Sequence, residues 1–330
     1  MTGSPKISVI VPVYNRAMLI QATLQSIQNQ SYSNWECLVV DDNSTDGTWD
    51  AVAAWAHEDE RIKALRKPSD HHRGPGAARN YGLKYSTGGI IHFLDSDDIL
   101  KPNTYEEIAA SFASNDIDYL ITRLAFFESS IDRICKETAP YVVADFIVKG
   151  LMAEHAFYTP NVFWAKSFLN KTKVLFDENI IISEDLDFDI RNFVASDNFT
   201  IRNDLFVYIR QHGPSLSRSL SEIETKLELL YVLKSLVNLL RDQGLNNMLL
   251  ARHAAYKSRR LLKELIVHHC YNRKMISYWV FMNRELMACL QWSNIFIYNA
   301  KMVYWMIYSW FNRAKEPGLS SRSAAQPPSS

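Results

Sequence analysis

The chain has 330 residues, 47% of them hydrophobic and 22% charged, which excludes general disorder and a collagen-like or disulfide-scaffold class and allows one large domain or two ordinary ones. Its 36 Lys and Arg balance its 36 Asp and Glu, so a generally basic nucleic-acid binder is excluded as well. The balance is a cancellation: residues 251–330 hold 12 basic and 3 acidic residues, a net of +9, and residues 1–250 hold 24 and 33, a net of −9.

Ile7–Val13 is a continuous apolar run, which predicts a strand buried on both faces. Leu19, Thr23, Leu24 and Ile27 recur at helical spacing. The apolar Cys37–Val40 ends in Asp41 and Asp42, and Asn43, Ser44 and Thr45 offer caps for a helix carrying Trp49, Val52 and Ala56. Ile62–Leu65 reads as a third strand, Gly74–Gly76 as a loop, Ala77–Tyr85 as a helix and Ile90–Leu94 as a further strand. This alternation predicts a parallel sheet with right-handed crossovers. Ligands of such sheets sit at the carboxyl ends of the strands, where Asp41-Asp42 and Asp95-Ser96-Asp97-Asp98 both fall. From Asp116 to Arg210 the pattern is mixed, with Asp118–Phe127 strand-like. Ser221 and Glu224 read as a capping box opening a helix that stops at Gly244, and a second helix follows from Asn247 to His268.

The four cysteines, Cys37, Cys135, Cys270 and Cys289, show no zinc-like spacing and are expected as free thiols in a reducing compartment. No long apolar stretch follows a basic start at the N-terminus, so no signal peptide is expected and the cytoplasm is the expected compartment.

Three carboxylates within four residues, Asp95, Asp97 and Asp98, repel one another unless a cation is present. They suit a hard divalent ion, Mg²⁺ or Mn²⁺, or else form a solvated turn with a helix cap near Asp98. Asp42 suits a ribose or base, or else belongs to a helix-capping turn. The GPGAAR segment lacks the third glycine of a dinucleotide fingerprint and no GxxxxGK[ST] occurs, which disfavours dehydrogenase and P-loop readings. Arg79, at a helix start, is placed to reach a phosphate. Ser183-Glu184-Asp185 offers a general base, or else helix-start acids favoured by the dipole. His212, in a turn-like setting, is either a packing residue or a ligand.

Taken together these segments resemble glycosyltransferase family 2, with a GT-A fold. The resemblance runs from Ile7 to Ser219 through SVIVPVYNR, VVDDNSTDGT, GPGAARNYG, FLDSDD, SEDLDF and YIRQHGPSLSRS, in family order. It implies an α/β domain: a Rossmann-like mixed, mainly parallel sheet with flanking helices over residues 1–219. A C-terminal α-helical extension at 220–316 and a disordered tail at 317–330 would follow. Under the resemblance Pro12, Tyr14, Asp42, Arg79 and Asp95 hold the donor nucleotide, and Asp97, Asp98 and His212 take the metal, Mn²⁺ or Mg²⁺. Asp185 is the catalytic base, and Glu184 and Ser215 complete the site on the acceptor side and over the diphosphate. The implied activity is inverting transfer of one sugar from a nucleotide-diphosphate sugar, UDP-linked, to a hydroxyl of a glycan or lipid-linked oligosaccharide. No QxxRW motif follows Asp185, which favours single-sugar transfer over processive synthesis. The rival classes are a nucleotidyltransferase and a sugar-nucleotide-binding module without transfer activity.

The resemblance ends before the basic part. Residues 271–312 carry 12 of the 40 aromatic residues, among Arg273, Lys274, Arg284, Lys301 and Arg313. Gln291, Asn294, Asn299, Lys301, Ser309 and Asn312 fall on one side of a helical projection, leaving a wide apolar face. This segment, 271–313, is expected either on an anionic membrane surface, peripheral on the cytoplasmic face, or packed on the catalytic domain or on a second copy in a homo-oligomer. Its polar residues make a membrane span costly. A nucleic-acid partner is not expected.

Overall fold

The computed structural model describes residues 4–141, 158–181 and 183–211, together with Val232. The chain divides into two units, Met1–Leu220 and Ser221–Ser330, and every element below lies in the first. The expected helical extension, the tail, His212 and Ser215 lie outside the described residues.

Strand β1 (Ile7–Val13) is buried at every position. It lies between β2 (Trp35–Asp41) and β4 (Ile90–Phe93), parallel to both, and β3 (Ile62–Arg66) pairs parallel with β2. A strand covered on both faces needs apolar side chains at every step, not alternation. Ile7, Val9 and Val11 share one core with Ile20, Leu24 and Ile27 of helix α1 (Ile20–Gln28). Ile10 points to the opposite core, with Leu38, Val40 and Ala78 of α3 (Pro75–Tyr85). Gly82 lets α3 come close, because a Cβ there would lie 2.4 Å from Ile10 Cγ2. Helix α2 (Thr48–Glu58) connects β2 to β3.

The second half of the sheet is mixed. After β5 (Ile99–Leu100) and α4 (Thr104–Ser114) come β6 (Tyr119–Phe127), β7 (Ile134–Glu137), a 3-10 turn at Thr159–Asn161, β8 (Val162–Ala165), α5 (Lys166–Thr172), α6 (Glu184–Ala195) and β9 (Phe199–Arg210). The strand order is β3-β2-β1-β4-β8-β6-β9-β5, with β7 paired to β6. β8 runs antiparallel to β4 and β6, whereas β9 runs parallel to β6. Aromatic contacts fix α6 on this half: Phe176 and Phe188 stack with centroids 4.0 Å apart, and Trp164 lies 5.5 Å from both Phe188, edge to face, and Phe193, stacked.

Two capping expectations are corrected. Asn43, Ser44 and Thr45 do not cap α2; its N-cap is Gly47 at φ 86°, with no side-chain cap. Ser44 and Thr45 are drawn instead to Asn15. The N-cap of α4 is Asn103, so Asp98 does not cap that helix. Cys37 is buried, Cys135 is exposed, and both are free thiols. Among the described residues no helix is long and apolar enough to cross a membrane.

Candidate active site

The carboxyl ends of β1, β2, β3 and β4 open on one side of the sheet because the four strands are parallel. Pro12 is buried near the end of β1, and Tyr14, just past it, is half exposed. The Asp42 amide donates to the Val13 carbonyl at 2.9 Å, which fixes Asp42 beside the β1 end. Asp42 is buried and lies 2.8 Å from the Lys67 ammonium, and it accepts a 2.7 Å hydrogen bond from the Gly74 amide. Gly74 meets it at φ 112°, a conformation that side chains rarely adopt. Lys67 is itself buried and also donates to the His72 carbonyl. A buried ammonium has to be paired, and here its partners tie loop 68–74 to Asp42. Lys67 escaped the sequence reading because a lysine after a short strand looks like any surface lysine.

The loop after β4 carries Asp95, Asp97 and Asp98, and each acid has a different partner. The Asp95 carboxylate, partly exposed, lies 2.7 Å from Arg79. Asp97 lies 3.7 Å from Arg16. Asp98 is buried and accepts the Arg210 amide at 3.1 Å. Burial pushes the Asp98 carboxyl well above the usual range, and the neighbouring charges of Asp95 and Asp97 push it further. Arg210 also donates from Nε to the Asp97 carbonyl at 3.1 Å and stacks over Phe127. It clamps the acidic loop to the end of β9. Arg210 lies inside the YIRQHGPSLSRS segment, yet its spacing alone carries no signal for this contact.

Arg79 spans the site. Its side chain is 4% exposed, with one nitrogen 2.7 Å from Asp95 and another 2.7 Å from Glu184 at the start of α6. Burial works against its charge, but Asp95 and Glu184 outweigh burial and hold the guanidinium firmly protonated. Glu184 is pushed up to about 7, first by burial and then by the adjacent Asp185, with Arg79 opposing. Asp185 is half-buried and accepts the Leu186 amide at 2.7 Å. Burial raises its carboxyl above the ordinary value, and Arg79 and that amide hold the rise back. Ser183 takes φ 66°, so the chain turns sharply into the helix start that carries both acids.

The structure thus gathers Asp95, Glu184 and Asp185 around the buried Arg79 guanidinium, with Asp97 and Asp98 on the same loop as Asp95. Pro12, Tyr14 and Asp42 stand at the neighbouring strand ends. Among the described residues no three acid, histidine or cysteine side chains converge as a metal cage. The oxygen-only donors of the 95–98 loop fit a hard cation all the same, because such ions are often held by one or two carboxylates together with substrate phosphates.

Residues 8–165 match Glycosyl transferase family 2. A relative from Escherichia coli, the UDP-Glc:alpha-D-GlcNAc-diphosphoundecaprenol beta-1,3-glucosyltransferase WfgD, is 40% identical over 114 residues, 34% of this chain and 44% of that protein. The chain spans between 31% and 64% of the length of the first three curated relatives it matches. Among solved structures, S. aureus TarS 1-349 in complex with UDP-GlcNAc superposes with a TM-score of 0.69 at 18% identity, covering 94% of this chain and 92% of that one. The mannosyltransferase PcManGT from Pyrobaculum calidifontis, in complex with GDP-Man and Mn²⁺, gives a TM-score of 0.50 at 17% identity, over 96% and 89% of the two chains. The likeness to these solved structures is one of fold, a mixed, mainly parallel α/β sheet with flanking helices. The chain carries a glycosyltransferase family 2 domain with the GT-A fold.

Proposed function

We propose that this chain transfers a single hexose or N-acetylhexosamine from a UDP-sugar to a hydroxyl of a lipid-linked glycan, inverting the anomeric centre. The observation that carries the reading is Arg79, which joins a donor-side acid, Asp95, to Glu184 beside the candidate base, Asp185. That joint brings the two halves of a displacement reaction to one place. The UDP-GlcNAc bound to TarS supports the donor class, and the diphosphoundecaprenol in WfgD's name supports the acceptor class.

In this reading Pro12, Tyr14 and Asp42 receive the base and ribose, with Lys67 offsetting the Asp42 charge, and Asp95 meets the ribose. Arg79, first assigned to the nucleotide, acts as the strut between Asp95 and Glu184. Asp97 would hold the cation, Mn²⁺ or Mg²⁺, while Asp98 and Arg210 brace the loop beneath it. When bound, the cation neutralises charge building on the departing diphosphate. His212 and Ser215 complete the cover over the diphosphate in this reading. Asp185 removes the proton of the acceptor hydroxyl as its oxygen attacks the face opposite the leaving group. A single displacement needs no enzyme nucleophile, and the raised Asp185 carboxyl makes a better base than an ordinary aspartate.

The test is Asp185→Asn in the full chain, assayed for sugar transfer and for UDP binding. Transfer is expected to fall by about 10²–10⁴-fold, the usual contribution of a general base, with UDP affinity unchanged. Retained turnover would remove Asp185 from the role.

A further inference from the structure

Each of the three acids of the 95–98 loop faces a basic residue or its backbone amide. Asp95 is locked to Arg79 at 2.7 Å and Asp98 to the Arg210 amide at 3.1 Å. Asp97 meets Arg16 at 3.7 Å, with the two side chains 27% and 19% exposed for Arg16 and Asp97. That distance is beyond hydrogen-bond length, so this pair is held by charge and not by a hydrogen bond.

Arg16 is nonetheless deliberately placed. Asn15 sits at φ 51°, a left-handed turn that asparagine tolerates better than most residues. Four hydrogen bonds nail this turn to loop 43–48: Asn15 N to Ser44 Oγ at 3.0 Å, Thr45 N to Asn15 Oδ1 at 2.9 Å, Arg16 N to Thr48 Oγ1 at 2.8 Å and Ala17 N to Asp46 Oδ2 at 3.3 Å. The backbone is fixed, and the guanidinium is carried across to the acid that the proposed function gives to the metal. We infer that Arg16 is the resting counter-ion of Asp97, which it cedes to the divalent cation when donor arrives, so that Arg16 couples cation binding to donor binding. The inference rests on the metal reading above. Two cations compete for one carboxylate, so Arg16 weakens metal binding to the empty site. Once a diphosphate is present, the displaced guanidinium gains an anionic partner and the competition eases. Such coupling is reciprocal between the two ligands.

The experiment measures Mn²⁺ affinity of the full chain by electron paramagnetic resonance, without and with saturating UDP, for the wild type, Arg16→Gln and Arg16→Lys. Gln keeps the backbone bonds of position 16 and removes the charge. Arg16→Gln is expected to bind Mn²⁺ about two- to fivefold more tightly than wild type without UDP, the range for a partly exposed ion pair. UDP should then improve its Mn²⁺ affinity by a smaller factor than in the wild type, and Arg16→Lys should stay near the wild type. Equal or weaker Mn²⁺ binding by Arg16→Gln without UDP would overturn the inference and leave the metal reading standing. A wild-type chain that binds no Mn²⁺ even with UDP would overturn the metal reading and this inference together.

Discussion

Arg79 is a guanidinium removed almost entirely from water and shared between two carboxylates from different parts of the chain. Replacing a buried ion pair whole is often harmless, but removing one partner leaves uncompensated charge and costs about 3–5 kcal/mol. Arg79→Ala therefore reports on folding as much as on function. Arg79→Lys is the sharper probe, because a lysine keeps the charge but lacks the rigid fork that reaches both partners at once. With Asp95 or Glu184 released, the base should drift from its place relative to the donor, and a displacement near 1 Å is enough for about a 10²-fold loss in rate. The expected outcome for Arg79→Lys is that drop in kcat, with a much smaller change in donor KM and a native circular dichroism spectrum. A folded variant with unchanged kcat would reduce Arg79 to a structural pair. The Lys67–Asp42 pair is its counterpart at the end of β2, also buried and fixed by the same need to pair a buried charge.

At the scale of the element, α6 concentrates more negative charge than any other helix described. Glu184, Asp185 and Asp187 lie in its first turn, where the helix dipole favours them, and Asp187 is paired with Arg191 one turn on. Asp189 is different: it is fully buried and neither carboxylate oxygen has a hydrogen-bond partner. Burial raises its carboxyl well above the ordinary value and Asp185 raises it further, with Glu184 adding to the rise and Arg79 opposing it. A carboxyl raised on folding favours the folded state most below its unfolded value, about 3.9. That contribution is lost as pH climbs towards the raised value. Asp189→Asn carries no titrating proton, so it should match the wild type near about pH 4 and gain on it towards about pH 7.5. Each 1 kcal/mol of that gain corresponds to roughly 2–4 °C in Tm for a domain of this size, and thermal unfolding across that pH range measures it. A Tm difference that stays constant with pH would show that Asp189 is ionised in the folded chain. The acids of α6 were legible in the sequence as a helix start with two meanings, because acid–base chemistry and helix dipoles both put carboxylates side by side. The parallel strands β1 to β4 were legible too, since strands buried on both faces are continuous apolar runs. β9 was not: its Arg202, Asn203 and Asp204 interrupt the pattern, and it is held by pairing with β6, some 80 residues earlier in the chain. Arg16, Lys67 and Arg210 escaped because a cation in a loop or at a strand end looks solvated until the fold supplies its partner.

At the scale of the whole molecule, the division of charge outlasts the account of the site. The acidic part contains the loop and helix acids just described, and the +9 of residues 251–330 lies outside the described residues. A transferase acting on a lipid-linked acceptor has to meet that acceptor at a membrane. The aromatic and basic stretch 271–313 is the part of the sequence suited to that meeting, through aromatic side chains at the interface and basic ones on anionic headgroups. Each Lys or Arg near such a surface contributes about 1 kcal/mol. Replacing Arg273, Lys274, Arg284, Lys301 and Arg313 with Gln in the full chain should therefore weaken attachment by several powers of ten. In flotation at low salt, the wild type is expected to rise with vesicles containing phosphatidylglycerol and to stay down with vesicles of phosphatidylcholine alone. The five-fold variant should stay down with both, and raising the salt should release the wild type, because screening shortens the reach of the attraction. If the wild type fails to rise with the anionic vesicles, the membrane reading falls, which leaves packing on the catalytic domain or on a second copy of the chain as the readings to test next.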